Sequence, residues 1–461
     1  MERSDDHLRG PGCAVVAVLR SWTVRIISYA IIAGTIACTS ERDERSWIDS
    51  LGPTPPPPPA GCTTVRSSEA VHALLANPTV SAICLAPGRY RGPWVLTRKL
   101  ALWGSAESIV AAPGGTIIDV RAPGATVLGM TLDGTGARFD KLDGAVRITA
   151  DDVRVEGVTV VNAMFGIVVE EARRAAILRN RVHGSRAPAT GLRGDTIRVW
   201  ATHNSRIEDN VVTDGRDVVV WYSSDNSVVG NRIRGARYGI HFMYSHNNRV
   251  EKNQLTNGVV GIFVMYSRGV RLIGNLIANA SGAAGMGIGL KDSGNIEVLN
   301  NQLIHNNLGL YIDSSPIQRT DTVIIRGNIV KFNDVGVVFH SSAHDLIAHA
   351  NDFADNHVQV RVDGGGDAMK VEWRNNYFDD YEGYDLGGDG QGDVPYQQQS
   401  LSNELTSQHP ELSLFRGTLA IGIVDAASHL DPLYQPKPIL SDPTPRMNPL
   451  SSWELHGRGQ P

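Results

Sequence analysis

Histidine and methionine residues lie at matching positions of neighbouring sequence repeats, a pattern that suits a copper site. His241 and Met243 belong to one repeat, and Met265 takes the position of Met243 in the next repeat. If successive repeats are paired strands, the Cα atoms of Met243 and Met265 stand about 5 Å apart, and His241 shares their face. Thioether sulfur and imidazole nitrogen are ligands that suit Cu(I). The sequence therefore predicts a Cu(I) site at these three residues, with Met286 of the next, glycine-rich stretch as a further ligand.

An aromatic stripe is predicted on the same face. Alignment of the repeats gives two outward columns, which hold Glu170, Trp200, Trp221, Met243, Met265, Lys291, Asp313 and His340 in one and Arg198, Val219, His241, Phe263, Gly289 and Tyr311 in the other. Exposed apolar groups of this kind are typical of a partner surface, in which methionine is an adaptable contact. We expect a partner, or the C-terminal tail, to cover a surface made of Trp200, Trp221, Met243, Phe263, Met265 and Tyr311. If the inside and outside assignments are wrong by one residue, the stripe is core instead.

A second candidate metal site is an acidic loop near the end of the repeats. Asp385, Asp389 and Asp393, with a glycine between them, resemble the first part of a calcium-binding loop. Two departures count against calcium, because Gly387 takes a place usually held by Asp or Asn and Tyr396 stands where a bidentate Glu is expected. The alternative is an acidic turn whose carboxylates bind backbone amides.

The positions of all these residues depend on the fold, and a repeat of asparagines indicates which fold that is. Nine asparagines, each followed two residues later by an apolar side chain, recur at steps of 21 to 30 residues: Asn180, Asn210, Asn231, Asn253, Asn275, Asn301, Asn328, Asn351 and Asn376. Asparagine suits a corner because it tolerates left-handed backbone angles, and stacked amides can form a ladder. The sequence predicts an all-β fold, a right-handed parallel β-helix of about ten coils. Asparagine-rich turns of a β-sandwich are the alternative.

The remaining segments are assigned from composition. Residues 1–38 combine arginines, a short apolar run and Cys38, which predicts an export signal with lipidation at Cys38; ordinary signal cleavage or an uncleaved anchor is the alternative. Residues 39–61 contain a run of prolines and are expected to form a stiff linker. Residues 62–396 would form the β-helix. Residues 397–461 are expected to form a helix and a Pro-rich extended tail, which cover the end of the solenoid or bind a partner.

Charge and cysteine content narrow the partners and the compartment. The 461 residues carry a net charge of −5, which gives no indication of a nucleic-acid partner. The apolar run in residues 26–37 is shorter than the roughly 20 residues of a membrane-spanning helix. Cys62 and Cys84 follow the export segment, and in an oxidising compartment we expect them to form one disulfide that closes the first coil, worth about 3 kcal/mol.

Several motifs are more specific than the repeat. They are RYGIHFMYSHNN (237–248), GIFVMYSR (261–268), GAAGMGIGLKDS (282–293), GLYIDSSP (309–316), NNYFDDYEGYDLGGDGQGDVPY (375–396), HPELSLF (409–415) and DPTPRM (442–447). Together they resemble the NosD family, the periplasmic β-helix proteins of nitrous oxide reductase maturation. The likeness runs over residues 144–447, and the paired MYS motifs and the GYDxxGDGxGDxPY motif are its most specific parts.

The resemblance implies a non-enzymatic accessory protein in the periplasm. Family members work with an ABC transporter made of an ATPase and a permease and with a copper chaperone lipoprotein, and they help to supply copper to nitrous oxide reductase. The predicted lipoprotein anchor departs from the plain exported form of the family. Two other functional classes of protein remain as alternatives. One is a carbohydrate-active β-helix (lyase, epimerase or hydrolase), with Asp195, Asp217 and Arg198 beside Trp200 and Trp221, and the other is a structural or adhesive surface solenoid.

Overall fold

Short strands and tight turns alternate along the chain, as the period-two pattern of apolar residues predicts. The computed structural model describes residues 55–134, 138–185, 189–341, 344–415, 418–428 and 436–450. The strands form three parallel sheets of 14, 13 and 12 strands, in which each strand pairs with the equivalent strand of the next coil. The predicted parallel β-solenoid is confirmed. It has about 13 coils, more than the sequence indicated.

The coil number was underestimated because the coils before Asn180 lack the asparagine that marks the repeat. The backbone N–H of Val158 donates to Asn180 Oδ1 at 3.0 Å, so Val158 takes the asparagine position of its coil. Met130 takes it one coil earlier, where its carbonyl accepts from Thr159. Val158 and Met130 are fully buried. An apolar side chain therefore fills this corner in these two coils and leaves no asparagine signal.

Each sheet takes one strand from each coil. The first sheet contains Thr63–Val65, Ala82–Leu85, Ala101–Gly104, Thr126–Leu128, Arg154–Glu156, Ala176–Leu178, Arg206–Glu208, Ser227–Val229, Arg249–Glu251, Arg271–Ile273, Ile296–Leu299, Val323–Arg326, Leu346–His349 and Glu372–Arg374. The second contains Gly88–Arg91, Ser108–Ala111, Thr131–Asp133, Thr159–Val161, Arg181–His183, Val211–Thr213, Arg232–Arg234, Gln254–Thr256, Leu276–Ala278, Gln302–Ile304, Ile329–Lys331, Asp352–Ala354 and Tyr377–Phe378. The third contains Trp94–Leu96, Ile118–Val120, Gly144–Ile148, Phe165–Glu170, Ile197–Trp200, Asp217–Trp221, Tyr238–Met243, Val260–Met265, Met286–Lys291, Leu308–Asp313, Val335–Phe339 and Val358–Val362.

The helices lie outside the coils or in their turns. The α-helices are Ser68–Ala76, Leu401–Gln408 and Leu419–Ser428, and the 3-10 helices are Thr190–Leu192, Ala368–Lys370 and Pro410–Phe415. Helix Ser68–Ala76 begins at Ser67, whose hydroxyl accepts from the N–H of Ala70, and it buries Val71 at the first end of the solenoid. Cys62 and Cys84 are joined by a disulfide in this region, with their Cα atoms 5.7 Å apart.

Aliphatic side chains fill the interior of the solenoid. The inward positions of the third sheet predicted from the sequence are all fully or almost fully buried: Ile240, Phe242, Ile262, Val264, Ile288, Leu290, Leu310 and Ile312. The inside and outside assignment was therefore correct, and the His241, Met243 and Met265 side chains belong to the outer face.

A buried ladder of asparagine side chains fixes the register of the coils. Asn253 Oδ1 accepts from the backbone N–H and the side-chain amide of Asn231, both at 2.9 Å, and the Asn253 amide donates in turn to Asn275 Oδ1 at 2.9 Å. Its second amide hydrogen reaches the carbonyl of Val228 at 2.9 Å. All nine asparagines of the repeat are almost completely buried, so the polar groups of this corner are paired within the protein.

The C-terminal segment covers the last coil. Strand Tyr396–Gln399 pairs antiparallel with strand Pro438–Asp442, and the Tyr396 ring stacks on Phe378 with centroids 3.9 Å apart. Asp442 Oδ2 accepts from the backbone and side-chain amides of Asn376, at 3.0 and 2.9 Å. The strand Pro438–Asp442, and not a helix, therefore supplies the hydrogen bonds that end the asparagine ladder, and the Pro-rich tail is paired as well as extended.

The N-terminal predictions fall largely outside the described residues. The export segment 1–38 with Cys38 lies entirely before them, and only residues 55–61 of the linker are described. The carbonyl of Pro56 accepts from Trp103 Nε1 at 2.8 Å, so the end of the linker contacts the solenoid. Within the part of the chain that the structure describes, no helix has the length and apolar character needed to cross a membrane.

Asp442 provides a test of the ladder end. We expect Asp442→Ala to destabilise the last coil by about 2–3 kcal/mol, because it leaves two donors of the buried Asn376 without an acceptor. Asp442→Asn keeps one side-chain oxygen for those donors and should lose less than half as much. Thermal unfolding and hydrogen exchange of the amides in residues 372–378 measure both effects. An equal loss of stability in the two variants, or no loss in either, would contradict the role of the Asp442 side-chain oxygen as the acceptor that ends the ladder.

Candidate functional site

The outer face of the third sheet holds the predicted columns in register. Trp200 pairs with Trp221, Trp221 with Met243, and Met243 with Met265. The neighbouring column runs from Arg198 through Val219, His241, Phe263 and Gly289 to Tyr311. The coil stacking therefore brings the two methionines into direct neighbourhood, with the histidine column beside them.

His241 and Met265 are in contact. His241 Nε2 lies 3.4 Å from Met265 Sδ, while the other ring nitrogen, Nδ1, is buried without a hydrogen-bond partner. With bonds of about 2.0 Å to nitrogen and about 2.3 Å to sulfur, one metal ion can reach both atoms at a near-tetrahedral angle. Met243 is the strand neighbour of Met265 on the same face. The three side chains thus fit the soft donor set that Cu(I) prefers.

The imidazole of His241 is held in its neutral form. Burial, followed by the positive charges of Arg237 and Arg216, lowers the pKa of His241 from 6.5 to about 4, although Asp217 acts in the opposite direction. A neutral imidazole keeps a lone pair on one nitrogen at neutral pH. A metal ion therefore does not have to displace a proton from His241 in that range.

Aromatic rings enclose the histidine. The Trp221 ring stands perpendicular to the imidazole at 5.4 Å between centroids, and the Tyr238 ring stacks on it at 4.6 Å. Phe263 follows at 6.1 Å. As a result His241 and Phe263 are 6% and 9% exposed, whereas Met243 and Met265 are only partly buried. The stripe predicted as an exposed surface is thus in part a self-packed cluster, because its rings cover one another along the column.

Met286 lies at the edge of this cluster. It pairs with Val260 in register, and its sulfur lies beside Gly289, where an added Cβ would stand 2.7 Å from Met286 Sδ and 2.3 Å from the Phe263 ring. The glycine thus makes room for Phe263 and Met286 together. Met286 belongs to the coil after that of Met265. Its role as a copper ligand stays a prediction.

A buried network of charges adjoins the aromatic cluster. Asp195 accepts from Arg198 at 3.0 Å and from Arg216 at 2.9 Å, and Asp217 accepts from Arg237 Nε at 3.1 Å. The two carboxylates are fully buried. Each carboxylate is therefore paired with arginine, and burial raises the pKa of Asp195 in spite of its two arginine partners.

The sequence analysis missed a ladder of tyrosines next to the methionines. Tyr222, Tyr244 and Tyr266 directly follow Trp221, Met243 and Met265, and their rings stack at 5.3 and 4.9 Å with interplanar angles of 13°. Tyr222 and Tyr244 are each 43% exposed. The signal was present in the paired MYS motifs, which place the tyrosines one coil apart.

Beyond Met265 the outer column becomes polar. Asp313 contacts Lys291 Nζ at 2.5 Å, Ser341 Oγ at 2.7 Å and His340 Nδ1 at 3.4 Å. Burial by itself raises the pKa of Asp313, but the hydrogen bonds from Lys291 and Ser341 outweigh it and lower the pKa to about 2. Lys291, next to Met265, is therefore neutralised by a carboxylate. Tyr311, predicted as part of the partner surface, is partly buried with its ring 5.8 Å from that of His340.

The carboxylates of the acidic loop bind the loop itself. Asp385 accepts from the backbone N–H groups of Gly388 and Gly390 at 2.6 and 2.8 Å, and Asp389 and Asp393 accept one further backbone N–H each, at 2.9 and 2.6 Å. Among the described residues, no group of three or more His, Cys, Asp or Glu residues could hold a metal ion. This geometry favours the acidic turn over the calcium site, which stays a prediction.

Comparison with known proteins finds a similarity to one family. The family described as "Periplasmic copper-binding protein (NosD)" matches residues 184–383, the region that holds His241, Met243 and Met265. The chain is similar to the NosD family. Two curated proteins named "Probable ABC transporter binding protein NosD" are similar to it. The protein from Pseudomonas aeruginosa is 27% identical over 74% of this chain and 82% of its own length, and that from Stutzerimonas stutzeri is 24% identical over 74% and 81%.

The comparison with solved structures finds proteins with other names. The A-module of the Azotobacter vinelandii mannuronan C-5 epimerase AlgE6 matches with a TM-score of 0.49 and 13% identity, over 70% of this chain and 98% of the module.

The burial of His241 makes the stability of the folded chain depend on pH. Because the folded-state pKa is about 4 and the ordinary value is 6.5, the unfolded chain binds the proton first as the pH falls. The free energy of unfolding should therefore decrease between about pH 6.5 and pH 4, by up to about 3 kcal/mol. His241→Phe should remove this component, and His357→Gln, at an exposed position, should not. Denaturant unfolding at several pH values measures the free energy of unfolding. If this free energy depends on pH in the same way in wild type and His241→Phe, the burial of His241 is contradicted.

Proposed function

We propose that this protein is a periplasmic accessory factor for nitrous oxide reductase maturation, which works with an ABC transporter and holds Cu(I) on its way to the copper sites of the reductase. His241, Met243 and Met265 are the proposed ligands, with Met286 as an additional one. The observation that carries the proposal is the 3.4 Å contact between His241 Nε2 and Met265 Sδ on the outer face. The family description as copper-binding and periplasmic supports it.

The proposed partners follow from the relatives and from the family. The curated relatives are named as ABC transporter binding proteins, and we propose an ATPase–permease transporter, a copper chaperone lipoprotein and nitrous oxide reductase as partners of this chain. Membrane attachment through a lipidated Cys38 is part of the proposal. We assign no catalytic residue, because Asp195 and Asp217 beside Trp200 and Trp221 are tied to arginines.

In the proposed function the outer face of the third sheet must both exchange Cu(I) and bind a partner. The site must take Cu(I) from a donor and pass it on, so its sulfur atoms must be reachable from outside, and Met243 and Met265 are partly exposed. A partner must also dock close to these atoms, and the exposed tyrosines Tyr222 and Tyr244 directly follow Trp221 and Met243 in the chain. Tyrosine is enriched in protein interfaces, where a rigid ring with a polar tip is useful.

The copper site can be tested on the purified chain. We expect Met243→Leu with Met265→Leu to weaken Cu(I) binding by about tenfold or more, because the soft sulfur donors are lost while the volume is nearly kept. The matched control is Met369→Leu, since Met369 is 48% exposed and lies in a 3-10 helix of another turn. Competition with a chromogenic Cu(I) chelator under anaerobic conditions gives the affinities. An unchanged affinity in the double variant would exclude this site.

Partner docking can be tested with membranes that contain the cognate transporter. We expect Tyr222→Ser with Tyr244→Ser to reduce capture of the transporter by the tagged chain, since both exposed rings of the ladder are lost. Tyr384→Ser, at another exposed tyrosine in the acidic loop, serves as the control. Undiminished capture by the double variant would place the interface elsewhere, and capture of no transporter by the wild type would contradict the proposed function.

A further inference from the structure

Gly289 interrupts a column of large side chains beside the proposed copper site. It pairs in register with Phe263 of the coil before and with Tyr311 of the coil after, and it lies inside strand Met286–Lys291. Glycine weakens the interior of a strand, because it loses more conformational freedom on folding than other residues and has no side chain to pack. The reason for a glycine here must therefore lie in the groups that approach it.

The backbone does not require glycine at this position. The φ angle of Gly289 lies outside the left-handed region. The glycines near the starts of these strands are different, since an added Cβ at Gly261 or Gly287 would stand 2.5 or 2.7 Å from a backbone carbonyl oxygen of the next coil. At Gly289 the three nearest atoms belong to side chains, two to Phe263 and one to Met286. Space for side chains, and not the path of the chain, explains Gly289.

The Phe263 ring occupies this space. An added Cβ at Gly289 would stand 2.3 and 2.4 Å from two atoms of the ring, Cδ2 and Cε2. In the opposite direction along the column, Phe263 pairs with His241. The two ring centroids are 6.1 Å apart, more than the roughly 4.8 Å between paired strands. The phenyl ring therefore leans over the glycine of the next coil and away from the imidazole.

This position of the ring leaves the side of His241 that faces Met265 open. His241 Nε2 lies 3.4 Å from Met265 Sδ, and Met265 follows Phe263 by two residues on the same face of the same strand. An ion bound to both atoms would thus lie between the imidazole and the strand that carries Phe263. A phenyl ring displaced from Gly289 toward the imidazole would enter the same space.

We propose that Gly289 is a positioning residue of the copper site: its missing side chain lets the Phe263 ring lie outside the space between His241 and Met265, so that this space stays free for Cu(I). The inference rests on the proposed copper site and adds a residue that acts through Phe263. Glycine inside a strand often marks a place where another group approaches closely, and here that group is the phenyl ring.

A methyl group at position 289 would act mainly on Phe263. The ring has no room inside the solenoid, because the neighbouring Ile262 and Val264 are fully buried there. Met286 Sδ would also stand close to the methyl group, at 2.7 Å, but an unbranched side chain with three rotatable bonds adapts to such a change. The displacement therefore falls on the phenyl ring, which has two rotatable bonds.

The test fills the space over Gly289 with one methyl group. We expect Gly289→Ala to weaken Ag(I) binding by the full chain about tenfold, the lower end of the range for residues that orient metal ligands. Ag(I) is a redox-inert monovalent probe, and competition with a chelator gives its affinity. The matched control is Gly114→Ala, which should keep the wild-type affinity because an added Cβ there meets no atom within 4 Å. Thermal unfolding shows whether both variants are folded.

A second variant separates the position of the ring from a general loss of packing. Gly289→Ala combined with Phe263→Val should regain most of the Ag(I) affinity, because valine lacks the ring atoms that the methyl group would meet. A merely structural role of the glycine predicts no such recovery. In the metal-free chain, the NMR signal of the His241 Hε1 proton should also shift in Gly289→Ala and not in Gly114→Ala, because the aromatic ring moves closer to it.

The outcomes distinguish this inference from the proposed function. An unchanged Ag(I) affinity in Gly289→Ala, or a loss that Phe263→Val does not relieve, overturns the role of Gly289 and leaves the copper site standing. An unshifted His241 signal in Gly289→Ala also overturns this role. If the wild type binds no Ag(I) at His241 and Met265, the proposed function fails, and the inference fails with it.

Discussion

The register of the coils depends on one buried row of hydrogen-bonded asparagine side chains. Inside this row each side-chain amide accepts two hydrogen bonds from the previous coil and donates one to the asparagine of the next, as Asn253 does between Asn231 and Asn275. A shift by one residue would break these bonds and turn the aliphatic side chains outward. Because the row holds the coils from Asn180 to Asn376 in the same phase, residues at equal positions there stand about 4.8 Å apart along the solenoid. The Met243–Met265 neighbourhood is a direct result of this constraint.

On the outer face, the regular stacking of the coils places three tyrosines in strained turns. Tyr222, Tyr244 and Tyr266 lie in turns with φ of 51°, 51° and 48°, a left-handed conformation that costs a non-glycine residue roughly 1–2 kcal/mol. Stacking returns about 0.5–1.5 kcal/mol per ring pair, and the three rings form two such pairs. Asparagine would adopt these turns with less strain, as Asn257 does elsewhere in the same coil. The tyrosines are therefore better explained by what they present to the outside than by their contribution to stability.

The asparagine spacing was enough to predict the sheet columns, the inward residues and the shared face of His241 and Met265. It was not enough to predict the enclosure of His241. Tyr238 and Arg237 come from the start of their strand, next to a register shift between Asp217 and Val219, where alignment on the downstream asparagine no longer gives the true neighbours. Arg216 lies in a turn, and a period-two pattern contains no information on turn side chains. The ladder end was missed for a different reason, because Asp442 is 66 residues from Asn376.

The same packing suits the proposed site for a transferred ion on a rigid solenoid. A structural metal site is closed by four protein ligands and holds its ion firmly, whereas a carrier needs fewer ligands and an open side. Here the imidazole is buried and oriented by Trp221 and Tyr238, so one donor is fixed before the ion arrives and little ordering is required on binding. The two sulfur atoms are on flexible side chains that remain partly exposed. In the proposed function a donor or acceptor protein would therefore compete for the ion at the sulfur side while the histidine stays in place, and the coils would not need to move.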